Sequence, residues 1–169
     1  MSINSKVLLS VSVLSATLLV ATVSRLTASD SRSAFEGVWK TVEVVVPGPT
    51  PQTFRAAATL AIFHGEHYSR VEVHAEGALP ILKNPATASA DELRAAWGPF
   101  VAEAGTFEVT GANVVTMQAS VAKNPAAMLK GATSAYTYQR NGDALTLTQT
   151  RTPAGAMAAP VTIKLVRVE

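Results

Sequence analysis

Short runs of alternating or β-branched residues, cut at intervals by turn-forming pairs, leave this chain little choice but an antiparallel sheet. Glu36 to Val46 reads EGVWKTVEVVV and stops at Pro47-Gly48-Pro49 and Pro51, with a loop to about Ala56. Thr59–Phe63 and His67–His74 flank Gly65-Glu66, the spacing of a tight hairpin. Gly105–Val109 and Val114–Val121 flank Gly111-Ala112-Asn113. Ser134–Arg140 and Leu145–Thr150 flank Asn141-Gly142-Asp143, and Asn-Gly is among the strongest short hairpin signals. A further Pro/Gly loop leads to Val161–Val168. Eight strands in sequential order suit an up-and-down barrel, because closure leaves no sheet edge unpaired. The expected fold class is all-β: an eight-stranded antiparallel barrel with one inserted helix.

That helix is announced by Ser89-Ala90-Asp91-Glu92, a capping box in the S-x-x-E pattern. Leu93, Trp97 and Phe100 follow at helical spacing and form one apolar stripe, and Gly98-Pro99 should kink or shorten the helix. Trp97 and Phe100 are expected either as a lid over the barrel mouth or as a cap on the core.

Composition matters most at the N-terminus. The chain is 48% hydrophobic, 15% charged and has a mean hydropathy of +0.23. Residues 1–28 hold two charges, Lys6 and Arg25, around an uncharged run from Val7 to Val23. A basic start, an apolar stretch and small residues after it form the pattern of a secretory signal peptide, with cleavage near Ala28. The alternative is a retained anchor, but the run is short and interrupted by serines and threonines. The expected organisation is a leader over 1–28 and a barrel domain over 29–169, exported to the periplasm or secreted. Without Lys6 and Arg25, twelve of the fourteen basic residues face twelve acidic ones. The mature charge is then about zero, and no Lys/Arg cluster suits nucleic acid. There is no cysteine, hence no disulfide framework, so stability must come from the core.

Alternation assigns faces along each strand. Val161, Ile163, Leu165 and Arg167 share one face of the last strand, Leu145, Leu147 and Gln149 one face of the strand before it, and Tyr136, Tyr138 and Arg140 one face of the strand before that. If the first and last strands pair antiparallel, Arg167 lies beside Trp39 and stacks on its indole. Gly37, Trp39 and Arg167 are then a structural plug at the narrow end.

Gly37-x-Trp39 on the first strand, with an arginine late in the last, resembles the signature of the lipocalins and their calycin relatives. The stretches FEGVWKTVEV, AGTFEVTGANVVTMQASVAKNP and YTYQRNGDALTLT are similar to bacterial proteins carrying a lipocalin-like domain. The resemblance spans about residues 35–168, and the helix-bearing insert at 78–103 departs from it. It implies an interior cavity for a small apolar molecule, lined by Tyr136, Tyr138, Leu147, Ile163 and Met117, with Trp97 and Phe100 near the mouth.

Other chemistry has less support in the residues. His64, His67 and His74 invite a metal or haem reading. However, His64 and His67 flank a turn, and the odd separation of His67 and His74 puts them on opposite faces of a strand. No metal or cofactor is expected. No cysteine or Gly-x-Ser-x-Gly elbow offers a nucleophile. Tyr68, Arg70, Glu72, Glu108, Tyr136 and Tyr138 are polar side chains that acid–base chemistry would need. Three functions therefore stand: an exported barrel binding a small hydrophobic ligand, an isomerase or cyclase using the same cavity, or a structural envelope domain with a filled interior. Membrane contact is expected only through the leader.

Overall fold

The computed structural model describes residues 32–55, 58–75 and 77–169. The leader expected over 1–28 lies outside them. Among the described residues the strands are β1 (Gly37–Val46), β2 (Gln52–Phe54), β3 (Ala58–His64), β4 (His67–Val73), β5 (Phe100–Val109), β6 (Val114–Ala122), β7 (Ser134–Asn141), β8 (Ala144–Thr152) and β9 (Gly155–Arg167). Helix α1 (Ala90–Trp97) lies between β4 and β5, and one turn of 3-10 helix (Pro125–Met128) between β6 and β7. Neighbours pair antiparallel throughout, and β9 pairs back onto β1. β2 lies on Val44–Val46 of β1 and β3 on Gly37–Trp39, so these two segments act as one stave. The fold is a closed eight-stranded antiparallel β-barrel with one inserted helix.

The two ends of this barrel are built differently. At one end the connections are tight: Gly65-Glu66, residues 110–113 and Gly142-Asp143. At the other lie the Pro-rich turn after Val46, the insert carrying α1, and the segment holding the 3-10 helix. Long connections gathered on one rim leave the strand walls regular and put the variable chain where an opening would be.

The tight end is closed by a plug. Trp39 is fully buried, opposite Arg167 on β9 and Ala61 on β3. The guanidinium of Arg167 stands 5.0 Å from the indole centroid, and that of Arg140 on β7 stands 5.6 Å from it. Both arginines also reach the segment before β1. Arg140 donates to the carbonyls of Ser33 and Ala34, Arg167 to that of Glu36, and the Trp39 Nε1–H to that of Phe35 at 2.6 Å. Four successive carbonyls are thereby satisfied, as buried backbone acceptors must be. The Phe35 ring, itself fully buried, enters the barrel against Tyr138, Phe63 and Phe107 at centroid distances of 4.7, 5.4 and 5.5 Å. Gly37 is required here. Its φ is +125°, and a Cβ would sit 2.6 Å from the Glu169 carbonyl oxygen. Above the plug, Val115, Met117, Leu145, Leu147, Ile163 and Leu165 complete the core cluster.

Three stretches differ from the sequence expectation. Residues 52–54, expected in a loop, form β2, because the Pro-rich turn folds the chain back along β1. Phe100, expected on the helix, opens β5 opposite Val73. Pro99 has already ended α1, and residues 100–104, too rich in Ala and Glu to read as a strand, are held by β4. The last strand begins at Gly155 rather than Val161. It carries Pro160 across a register irregularity between β8 and β9, where a missing N–H costs no ladder bond.

Trp39→Ala should lower the unfolding free energy in urea by roughly 3–5 kcal/mol, as for a fully buried large aromatic. A loss under about 1 kcal/mol would mean the plug does not hold the barrel closed.

Candidate functional site

Toward the open end the interior turns polar. Period-two alternation sends Tyr68, Arg70 and Glu72 of β4 inward, and Glu103 of β5 stands opposite Arg70. Arg70 Nη2 meets Glu103 Oε1 at 3.0 Å. Glu72 Oε1 accepts from the Thr41 hydroxyl of β1 at 3.0 Å, and Glu72 Oε2 meets His74 Nε2 at 2.6 Å. Tyr136 of β7 reaches the same volume and is electrostatically coupled to both Arg70 and Glu103. Glu72 is sealed at 1% side-chain exposure, Glu103 and Arg70 are at 14% and 17%, and His74, next to Glu72 on the rim side, is at 35%.

Burial and charge act against each other on these groups. Burial raises the Tyr136 hydroxyl above the usual tyrosine range, and burial with the neighbouring Glu103 carboxylate does the same to Tyr68, so both stay protonated. Burial pulls Arg70 downward, but the surrounding Tyr136, Glu103, Glu72 and Tyr68 more than offset it and raise the guanidinium above its ordinary value. Burial would also raise Glu72. The His74 hydrogen bond, the Arg70 charge and the Thr41 hydroxyl outweigh it and bring the carboxyl below its ordinary value.

Two polar atoms of this network are buried without a properly formed hydrogen bond: Arg70 Nε and the Tyr136 hydroxyl, although the Ser134 side chain lies beside the latter. Leaving a buried donor unmet costs about 1–3 kcal/mol.

The residues expected to line a ligand separate into two groups. Tyr136, Tyr138, Leu147, Ile163 and Met117 are all buried in the core cluster. Tyr138, Leu147 and Met117 pack within it, whereas Tyr136 borders the polar network. Trp97 and Phe100 do not join them. Trp97 is 58% exposed on the rim, and α1 buries Ala96 instead of the Leu93–Trp97–Phe100 stripe. Phe100 is half-buried on β5, beside a small cleft of about 180 Å³ shared with Ala122 and Lys123. Glu108, another candidate, faces outward. With Thr106, Thr116 and Gln118 it lines an external cleft of about 380 Å³ beside the Arg32–Glu66 ion pair.

The three histidines are dispersed. His64 and His67 face each other across the β3–β4 turn, with His64 held by Glu36. His74 lies at the other end of β4, roughly 20 Å along the strand. Among the described residues no group of three or more His, Cys, Asp or Glu side chains is placed to hold a metal. The Arg70–Glu103 pair was missed in the sequence because Glu103 falls in the stretch not read as a strand. The Glu72–His74 pair carried a readable signal: residues i and i+2 of a strand share a face.

No family model matches the chain, and no curated protein matches it. The class of protein rests on the fold and the site: a closed antiparallel barrel, compatible with a calycin-like fold, plugged at one end and holding an ionised network under the other.

Because the Glu72 carboxyl is lowered in the folded state, its stabilisation is complete above the ordinary value of 4.5 and is lost as pH falls through the lower folded value. Melting temperature should therefore fall below pH 4.5 more steeply in the wild type than in Glu72→Gln. Parallel curves would show that Glu72 is not held as a carboxylate.

Proposed function

We propose that this barrel binds a small, largely apolar molecule bearing a hydrogen-bond acceptor, taken in at the open end. The observation that carries this reading is the pair of buried, unpartnered groups, Arg70 Nε and the Tyr136 hydroxyl, on inward-facing side chains of β4 and β7. A carbonyl or carboxylate oxygen between them would satisfy both. The apolar part of the molecule has Ile163, Val44 and the half-buried Val46 and Val161 to lie against. Apolar walls with a few orienting polar groups make the usual small-molecule site. The lipocalin-like assignment belongs to this reading and rests on Gly37, Trp39 and Arg167. Export rests on the pattern of residues 1–28, and no helix among the described residues is long and apolar enough to cross a membrane.

A second reading is favoured by one contact. Glu72 holds the half-exposed His74 imidazole by a 2.6 Å hydrogen bond near the open rim, which is how a carboxylate orients a general base. Under this reading the same site performs an isomerisation or cyclisation, with His74 moving the proton.

Dodecanoate, a twelve-carbon chain with an acceptor head, and dodecylamine, the same chain with a donor head, distinguish the first reading by thermal shift. Dodecanoate at saturation should raise the melting temperature by several degrees, and dodecylamine should not. Tyr136→Phe should fold about as stably as the wild type, because the buried hydroxyl makes no well-formed hydrogen bond. It should also lose most of the dodecanoate shift. Equal responses to the two chains, or a full shift in Tyr136→Phe, would overturn the reading.

A further inference from the structure

The open rim carries a second pattern that the interior does not explain. Large apolar side chains stand out from it on two connections: Ile81 at 94% exposed and Trp97 at 58% in the α1 insert, Leu129 at 65% and Met128 at 42% around the 3-10 turn. Lys83 and Lys130 are exposed on the same two connections. Lys123 joins the two. Its ammonium donates to the carbonyls of Trp97, Gly98 and Phe100, fixing the C-terminal end of α1 to the end of β6. Trp97 and the 123–133 segment are therefore held side by side.

The two connections hold two acids among the described residues. Glu92 is taken up by the capping box with Ser89, and Asp91 pairs with Arg94. Glu76 lies outside the described residues. Lys83 and Lys130 make no ion pair among the described residues. What the rim offers outward is a fringe of aromatic and aliphatic side chains among Lys83, Arg94, Lys123 and Lys130, which outnumber Asp91 and Glu92 on the same two connections. The tight end instead carries Glu36, Glu66, Glu108, Asp143 and Glu169 against Arg32, Arg140 and Arg167. The molecule is polarised along the barrel axis although its net charge is small.

We propose that the open rim docks on an anionic lipid bilayer, with Trp97, Ile81, Met128 and Leu129 entering the headgroup region and Lys83 and Lys130 resting on the lipid phosphates. Apolar side chains ringed by lysines match the depth order of a bilayer surface, where Trp favours the interface and basic residues meet anionic headgroups. The proposal is independent of what the barrel holds, and it gives the membrane a contact apart from residues 1–28.

Tryptophan fluorescence tests it on the full chain. The chain has two tryptophans, neither of them in residues 1–28: Trp39, buried at the far end, and Trp97 on the rim. The protein is mixed with phosphatidylcholine vesicles, with or without phosphatidylglycerol, containing brominated phosphatidylcholine as quencher. With phosphatidylglycerol, emission should shift to shorter wavelength and be quenched. Both effects should vanish in Trp97→Phe, in which Trp39 alone emits. Both should fall to the neutral-vesicle level in Lys83→Glu/Lys130→Glu, whose unchanged melting temperature shows that the barrel is intact. Quenching that is equal on neutral vesicles, or that survives the lysine reversal, would assign the contact to tethering by the apolar N-terminal stretch and overturn the proposal. A shift produced by soluble polyglutamate but not by vesicles would name an acidic protein as the partner and also overturn it.

Discussion

Everything in this barrel is referred to the contact at its tight end, where the Trp39 indole lies near two guanidinium groups and donates to the Phe35 carbonyl. A closed sheet has a register to choose, and a slip of one residue would exchange its inside for its outside. Here β1 and β9 are pinned where Trp39 faces Arg167. The same two arginines bind the carbonyls of the incoming chain, so closure of the barrel and entry of the chain are one event. A cation–aromatic contact away from water contributes on the order of 1–2 kcal/mol, and the buried indole several more. In a chain without cysteine, that concentration of energy at one end takes the place of a covalent staple.

With one end fixed in this way, the other end can tolerate groups that a packed core would exclude. Burying ions is expensive unless they are paired, and apolar replacements are often as stable or more so. Arg70, Glu103 and Glu72 are paired, yet the network still leaves Arg70 Nε and the Tyr136 hydroxyl unmet. The gradient from sealed Glu72 to half-exposed His74 gives it a direction, toward the rim where the long connections lie.

The sequence disclosed those parts of the fold that depend on local chemistry. Hairpins at Gly65-Glu66 and Asn141-Gly142 follow from turn geometry, and the inward placement of Tyr136, Tyr138, Leu147 and Ile163 follows from a period of two. The meeting of Trp39 and Arg167 needs only that period and the closure of the sheet. What stayed hidden depends on partners distant in the chain. Phe35 precedes the first strand, and nothing beside it announces that it fills the barrel. Residues 100–104 are strand only because β4 holds them, so Glu103 and its pairing with Arg70 could not be read. The helical stripe of Leu93, Trp97 and Phe100 misled because Pro99 divides it. Phe100 belongs to the wall, and Ala96 is the side chain that α1 buries.

The central proposal is a division of labour: the tight end carries the stability, and the open half is where a small molecule would bind. Hydrogen–deuterium exchange with and without dodecanoate measures it most directly. Without ligand, the amides of Val38, Arg167 and Val168, bonded at the tight end, should exchange slowest, near the rate set by global unfolding. With ligand, amides that exchange by local opening should gain protection in β4, β5 and the start of β7, locally opening amides in the tight-end hairpins should not, and the slowest amides should slow only by the factor that binding adds to global stability. Fast exchange around Trp39, or equal ligand protection of the locally opening amides at both ends, would contradict the account.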